Sequence, residues 1–179
     1  WLFVLLFLLG FRDGLVLVIA GLGLEQAWKR RWIWAGAALG LALSWLAMLN
    51  RWLYPMLTGK DDGPKAAAGL FSYLGNNLDE VLLNLLSKPY LVINHLDLFG
   101  GVIYLLLISI SLLPFLRRPS LSVLLGALPL VFVNLISEEA SQRTLIHHYS
   151  LPIAVIFVVA VIDSLAIYPR QKFPWRKLC

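Results

Sequence analysis

Charge and cysteine are both scarce in this chain. Only 14% of its 179 residues are charged, 60% are apolar, and the one cysteine, Cys179, is the last residue. Without a second cysteine no intrachain disulfide can form, and the redox compartment stays undetermined. With so little charge and a mean hydropathy of +0.80, an ordinary soluble domain is excluded too. A domain of this length could bury a sizeable core, but it could not hide five or six apolar runs that each approach membrane-spanning length. Period-2 alternation is also lacking, and lipid forces every backbone group to be satisfied within its own segment, so isolated strands are excluded. There is no Gly-rich phosphate loop, no Cys-x-x-Cys pair and no nucleophile elbow. No cofactor is evident from these residues, and a divalent metal is left open.

What is present is a set of Leu- and Val-rich runs at about Leu15 to Trp28, Trp32 to Leu49, Leu98 to Leu116, Leu121 to Ile136 and Leu151 to Tyr168. They predict an all-α fold, a polytopic integral membrane helix bundle of about five complete spans plus one truncated span at the N-terminus. The truncated one is the run from Trp1 to Leu9, which opens without methionine, has no basic n-region and meets no small-residue cleavage site before Gly10. Residues 1–179 then form a single membrane domain, expected to be the C-terminal part of a longer chain. The run from Leu15 to Trp28 is short, rising about 21 Å against a hydrocarbon core of roughly 30 Å.

Basic residues orient the bundle. Lys29-Arg30-Arg31, Arg117-Arg118 and the tail residues Arg170, Lys172, Arg176 and Lys177 hold nine of the fifteen Lys and Arg. The positive-inside rule puts 29–31, 117–119 and the basic tail 169–179 in the cytoplasm of a multi-pass membrane protein. The alternate connections, 50–97 and 137–150, carry five basic and seven acidic residues and fall outside. The net charge of +5 thus reflects insertion and attraction to anionic membrane lipid, and no nucleic-acid motif appears.

The outer loop 50–97 has a pattern of its own. Leu78, Val81, Leu82, Leu85 and Leu86 recur at helical spacing, Asn77 and Glu80 form a capping-box-like start, and Lys88-Pro89 ends the segment. This predicts an amphipathic interfacial helix near 78–88.

Candidate polar residues sit at the outer face. Arg12 and Asp13 precede Leu15, where a charge at membrane depth is costly unless it meets a cavity or partner; Asp13 could equally cap the helix while Arg12 snorkels to headgroups. Arg143, His147, His148 and Tyr149 stand at the outer end of the last helix, which Pro152 begins within its first turn. Adjacent histidines diverge on helix and strand alike, so they chelate poorly and no metal site is expected. Arginine beside protonatable imidazole is better suited to a phosphate at the lipid boundary, ordinary interfacial residues being the plainer alternative. Asp61-Asp62 reads as a solvated turn. Glu25 and Lys29 read as a helix pair, and Asp163 lies within the last helix without an evident partner.

The order of motifs carries a resemblance. Phe11-Arg12-Asp13-Gly14 with Gly21-Leu22-Gly23-Leu24, then Lys29-Arg30-Arg31, Trp52-Leu53-Tyr54-Pro55, Tyr73-Leu74-Gly75, Leu128-Pro129, Asn134-Leu135-Ile136-Ser137 and His148-Tyr149-Ser150-Leu151-Pro152 follow one another. Together they resemble the bacterial predicted-membrane-protein family called domain of unknown function 2079, over nearly the whole chain. That family is similar to GT-C type membrane glycosyltransferases. The resemblance implies a GT-C-like fold in the bacterial plasma (inner) membrane, a polyprenyl-phosphate-linked sugar donor taken at the outer face, and a donor cavity bordered by Arg12 and by His148 to Pro152. Phe11-Arg12-Asp13 replaces the commoner Lys-Glu-Asp and leaves one acid where the family often has two. The GT-C catalytic carboxylate usually lies in the first outer loop, so here it is expected upstream of Trp1 and the fragment alone is expected to be inactive. The other class to weigh is a non-catalytic membrane scaffold, or a lipid-binding or transport protein.

Overall fold

The computed structural model describes residues 2–10, 14–58, 69–110 and 112–167. Helices α1 (Leu2–Leu9), α2 (Leu15–Trp28) and α3 (Trp32–Met48) open the chain. α3 does not stop at the expected Leu49: it runs through a π-helical turn, Leu49–Leu53, into α4 (Tyr54–Thr58). The reason is Pro55, which lacks the amide that would bond back up the helix, and the wider turn just before it re-registers the ladder without ending it. Lys29 to Arg31 make the reversal between α2 and α3, with Arg30 at a φ of 57°, the left-handed region that closes a helix in one residue.

After the long connection come α5 (Leu78–Ser87), α6 (Pro89–His95), α7 (Leu98–Ser109), α8 (Leu128–Ile136) and α9 (Leu151–Ile167). No strand occurs among the described residues. Two expected helices come out differently. The run Leu98 to Leu116 is helical only to Ser109, after which a 3-10 turn at Leu113–Phe115 holds Pro114. The run Leu121 to Ile136 is broken: a 3-10 segment, Arg118–Gly126, meets α8 at a 58° bend. Pro119 and Pro129 each remove a donor and Gly126 removes a side chain, which no apolar count registers.

Two helices, Trp32–Leu57 and His148–Ala166, are long and apolar enough to cross a membrane, and four spans result if α6–α7 and the 118–136 pair each count as one. α2 is a shorter apolar helix of 14 residues. Exposed Phe3, Phe7, Phe99, Val102, Leu106 and Ile110 would be a liability in water; on a membrane protein they are the surface that lipid solvates.

Burial falls into two clusters. Leu5, Leu9, Val16, Ile19, Ala38 and Ala42 pack together between α1, α2 and α3. Tyr104, Ile108, Ala127, Leu130, Ile153 and Ile156 do so between α7, α8 and α9. α2 touches both, because Gly21 lies so close to Gly126 that a Cβ there would stand 2.1 Å from the Gly126 carbonyl oxygen. Leu17 and Val18, before Gly21, pack against the second cluster, whose members Ala127 and Leu130 come after Gly126, while Gly21 meets Gly126, so α2 runs antiparallel to 118–136. Lys29 to Arg31 therefore lie towards Arg117 and Arg118, and the Arg117 amide donates to Ser164 Oγ near the end of α9. This is the basic end of the bundle; Asp97, Ser137 to Ser150 and the α5–α6 pair stand at the far end.

Candidate functional site

The far end is assembled from the connector between α8 and α9. Ser137 leaves α8 in extended conformation, and 3-10 turns follow at Ala140–Arg143 and His148–Ser150. A connector of such short turns would splay unless tied, and Arg143 ties it. Its Nη1 donates to the Ser137 carbonyl, and its Nη2 lies 3.4 Å from Asp97 Oδ2. The guanidinium side chain is only 9% exposed. Asp97 is itself fixed, since its Oδ1 accepts from the Gly100 amide at 2.9 Å and so caps α7. One arginine thus joins the start of one helix to the end of another through charge-assisted bonds.

A second cluster adjoins this one through Ser137 and Glu138. The Glu138 amide donates to the Leu70 carbonyl, and Ser72 Oγ donates to Glu138 Oε2 at 2.6 Å. Tyr73 donates its hydroxyl to the Ile136 carbonyl at 2.8 Å and stacks on His95, with ring centroids 4.5 Å apart and planes 14° from parallel. Burial first, and the Glu138 carboxylate second, hold the Tyr73 phenol above its ordinary pKa of 10.0. His95 Nδ1 sits 2.9 Å from the Leu91 carbonyl, which can only accept, so that nitrogen carries the proton and Nε2 is left as the acceptor of the neutral ring.

Of the residues singled out in sequence, Arg143, His147, His148 and Tyr149 lie on one connector. His147 and His148 are exposed. Thr144 donates its hydroxyl to the Ser141 carbonyl, so the 2.7 Å contact between Thr144 Oγ1 and His147 Nδ1 is a bond donated by the imidazole. The His148 and Tyr149 rings pack at 4.4 Å, tilted by 36°. Arg12, Asp13, the Asp61-Asp62 turn and the basic tail 169–179 lie outside the described residues. Glu25 pairs with Lys29 at 2.5 Å, the helix pair expected of that spacing, and Asp163 is exposed on α9. Among the described residues no group of three His, Cys, Asp or Glu is placed to hold a metal ion.

Sequence reasoning missed what lies under the connector. Asn134 Nδ2 donates to the Tyr104 hydroxyl at 3.0 Å, and Ser150 Oγ donates to the same oxygen at 3.2 Å, all three residues being buried. Each belongs to a different segment, so the trio fixes α7, α8 and the start of α9 in one register. Asn134 inside an apolar run was the readable signal, since a polar residue at membrane depth needs a partner. Asp97 directly before Leu98 was a readable N-cap.

The whole chain, residues 1–179, matches the sequence family described as predicted membrane protein (DUF2079). No curated protein and no solved structure matches it. The chain belongs to this family of predicted membrane proteins.

Proposed function

We propose that this family member is the membrane part of a GT-C-like glycosyltransferase that takes its sugar from a polyprenyl-phosphate donor at the outer face of the membrane. The observation that carries the reading is the far-end connector: it carries a guanidinium and two exposed imidazoles within six residues, Arg143 to His148, between apolar helices. A lipid phosphate needs both, cationic donors for its oxygens and an apolar flank for its chain. In this reading α2 completes a five-span bundle, and Lys29 to Arg31 face the cytoplasm. His147 and His148 meet the phosphate, while Arg143, with two bonds already made, positions the turn and offers its remaining N–H groups. Arg12, expected at the same face, adds charge. A carboxylate elsewhere in the protein deprotonates the acceptor hydroxyl as sugar leaves the phosphate, which keeps the bond electrons.

The buried Tyr104–Asn134–Ser150 trio supports an enzyme or binding role over transport, because its members satisfy one another and leave no polar demand for a passing solute. The test is binding of a fluorescent polyprenyl-phosphate sugar to the natural full-length protein, alongside transfer of the labelled sugar. Losing one charge-assisted contact costs about 1.5–3 kcal/mol, so Arg143→Ala and the pair His147→Ala, His148→Ala should each weaken donor binding about tenfold or more. Unchanged binding would sink the site; absence of any donor binding would leave the scaffold reading in its place.

A further inference from the structure

The helices α5 and α6 lie between two apolar stretches, α3–α4 before them and α7 after, and the joint at each end bears on how they sit. At the first joint, Arg51 Nη2 lies 3.9 Å from Asp79 Oδ2, an exposed pair that marks where the start of α5 comes beside the π-helical turn of the long α3–α4 helix. Exposed Trp52 stands next to Arg51, an aromatic residue at the level where such rings anchor in headgroups. At the second joint, α6 meets α7 at 81°. Phe99, Val102 and Leu106 on α7 and Ile110 just past it are exposed and apolar, and the apolar run that starts at Leu98 continues to Leu116, beyond the 12 residues of α7. If α7 stands across the bilayer, α6 lies nearly flat in its surface. The α5–α6 pair then bridges the later turns of α3–α4 and the start of α7 at the depth of the bilayer surface.

Its uncovered side chains suit that depth. Val81 is buried against the protein and Asn84 Nδ2 donates to the Leu74 carbonyl, so one side of α5 is occupied. The apolar arc is wider than that contact: Leu82, Leu83 and Leu86 remain exposed, Leu86 at 83%. On α6, Tyr90 and Ile93 are exposed three residues apart, on one face. Lys88 is the one lysine between Leu78 and His95, against Asp79 and Glu80, so attraction to anionic lipid does not explain a seat there.

We propose that α5 and α6 form a two-helix platform embedded flat in the outer headgroup layer, with Leu82, Leu83, Leu86, Tyr90 and Ile93 in the acyl boundary, held by apolar insertion and indifferent to lipid charge. The occupant of the exposed face is lipid. This is independent of the transferase reading, since it rests on the joints and the uncovered leucines alone.

Environment-sensitive dye on single cysteines tests it, in the natural full-length protein with Cys179 and every other native cysteine replaced by serine and reconstituted in phosphatidylcholine vesicles. Dyes at Leu86→Cys and Ile93→Cys should be quenched severalfold more by a lipid-attached nitroxide than by a water-soluble one, and a dye at Asn76→Cys should show the reverse. All three side chains are exposed, so the replacements leave packing intact. Quenching at Leu86→Cys and Ile93→Cys by the water-soluble agent as strong as at Asn76→Cys would overturn the platform. Shielding that grows with protein-to-lipid ratio would overturn it in favour of a second copy of the chain. Dependence on added anionic lipid or on salt would overturn the apolar mode of seating.

Discussion

The two buried clusters of this bundle are held by different means. Between α1, α2 and α3 the side chains of the cluster are aliphatic, and both of those on α3 are alanines, Ala38 and Ala42. Between α7, α8 and α9 the cluster closes around Tyr104, whose hydroxyl receives Asn134 and Ser150. Lipid tails are as apolar as leucine, so burying an aliphatic side chain against protein gains little over leaving it in the bilayer. The first cluster has to gain by closeness, and small residues allow it: a Cβ at Gly23 would stand 2.8 Å from Leu39 Cγ. The second gains by directional bonds that lipid cannot replace. Close packing says how near two helices may come, and a shared hydroxyl says which turn must face which.

Three substitutions would break or sharpen that contrast. Gly21→Val should have the largest effect, because the new side chain meets backbone and cannot push a flexible neighbour aside. Overpacking of this kind costs about 1–3 kcal/mol or more, and separation of α2 from 118–126 should appear as a lower melting temperature in mild detergent. An unchanged melt would mean the two clusters do not depend on each other. Asn134→Leu should cost less, about 0.6 to 1.7 kcal/mol, the range for hydrogen bonds between membrane helices. Ser150 still binds Tyr104 in that variant, so removing both Asn134 and Ser150 should cost more than either alone; equal losses would show that one bond holds the register. Tyr73→Phe should cost least, about 0.5 kcal/mol, for one hydrogen bond at a half-buried site. Its mark is pH. Because the phenol in the folded chain titrates above its unfolded value of 10.0, its contribution is complete below that value and is lost as pH rises through the raised one. Proteolysis of the 69–75 segment should therefore accelerate in strong alkali in the parent protein, with no such step in Tyr73→Phe.

Legibility followed the same division. Apolar runs and breakers gave α2 its bounds, Leu15 to Trp28, and brought α9 within a residue of Leu151–Ile167. The expected cap of α5 is present with one shift: Asn77 Oδ1 accepts from the Glu80 amide, while the Glu80 carboxylate reaches back to the Asn76 amide, one residue earlier than a capping box requires. α6 was hidden because Lys88-Pro89 reads as a stop, although proline at a first helical position is also a start. The bend at Gly126 and the missing turns after Ser109 were hidden because hydropathy counts side chains, and these breaks are made by absent amides and an absent Cβ. At the far end, types of residue were visible and pairings were not: Arg143 stood out by its charge, but nothing local tied it to Asp97, 46 positions away.

The touch between Gly21 and Gly126 also sets an order of assembly. About a hundred residues of chain separate the two glycines, and α2, whose 14 residues rise only about 21 Å, is short for a bilayer core of roughly 30 Å. During synthesis α2 can turn back on α3 only once α3 itself has been made, up to Met48, yet the surface that completes its burial does not exist until the ribosome has passed residue 126. The close approach of α2 to residues 118–126 is therefore a late contact in the order of the chain, closed about a hundred residues after the first hairpin has been made.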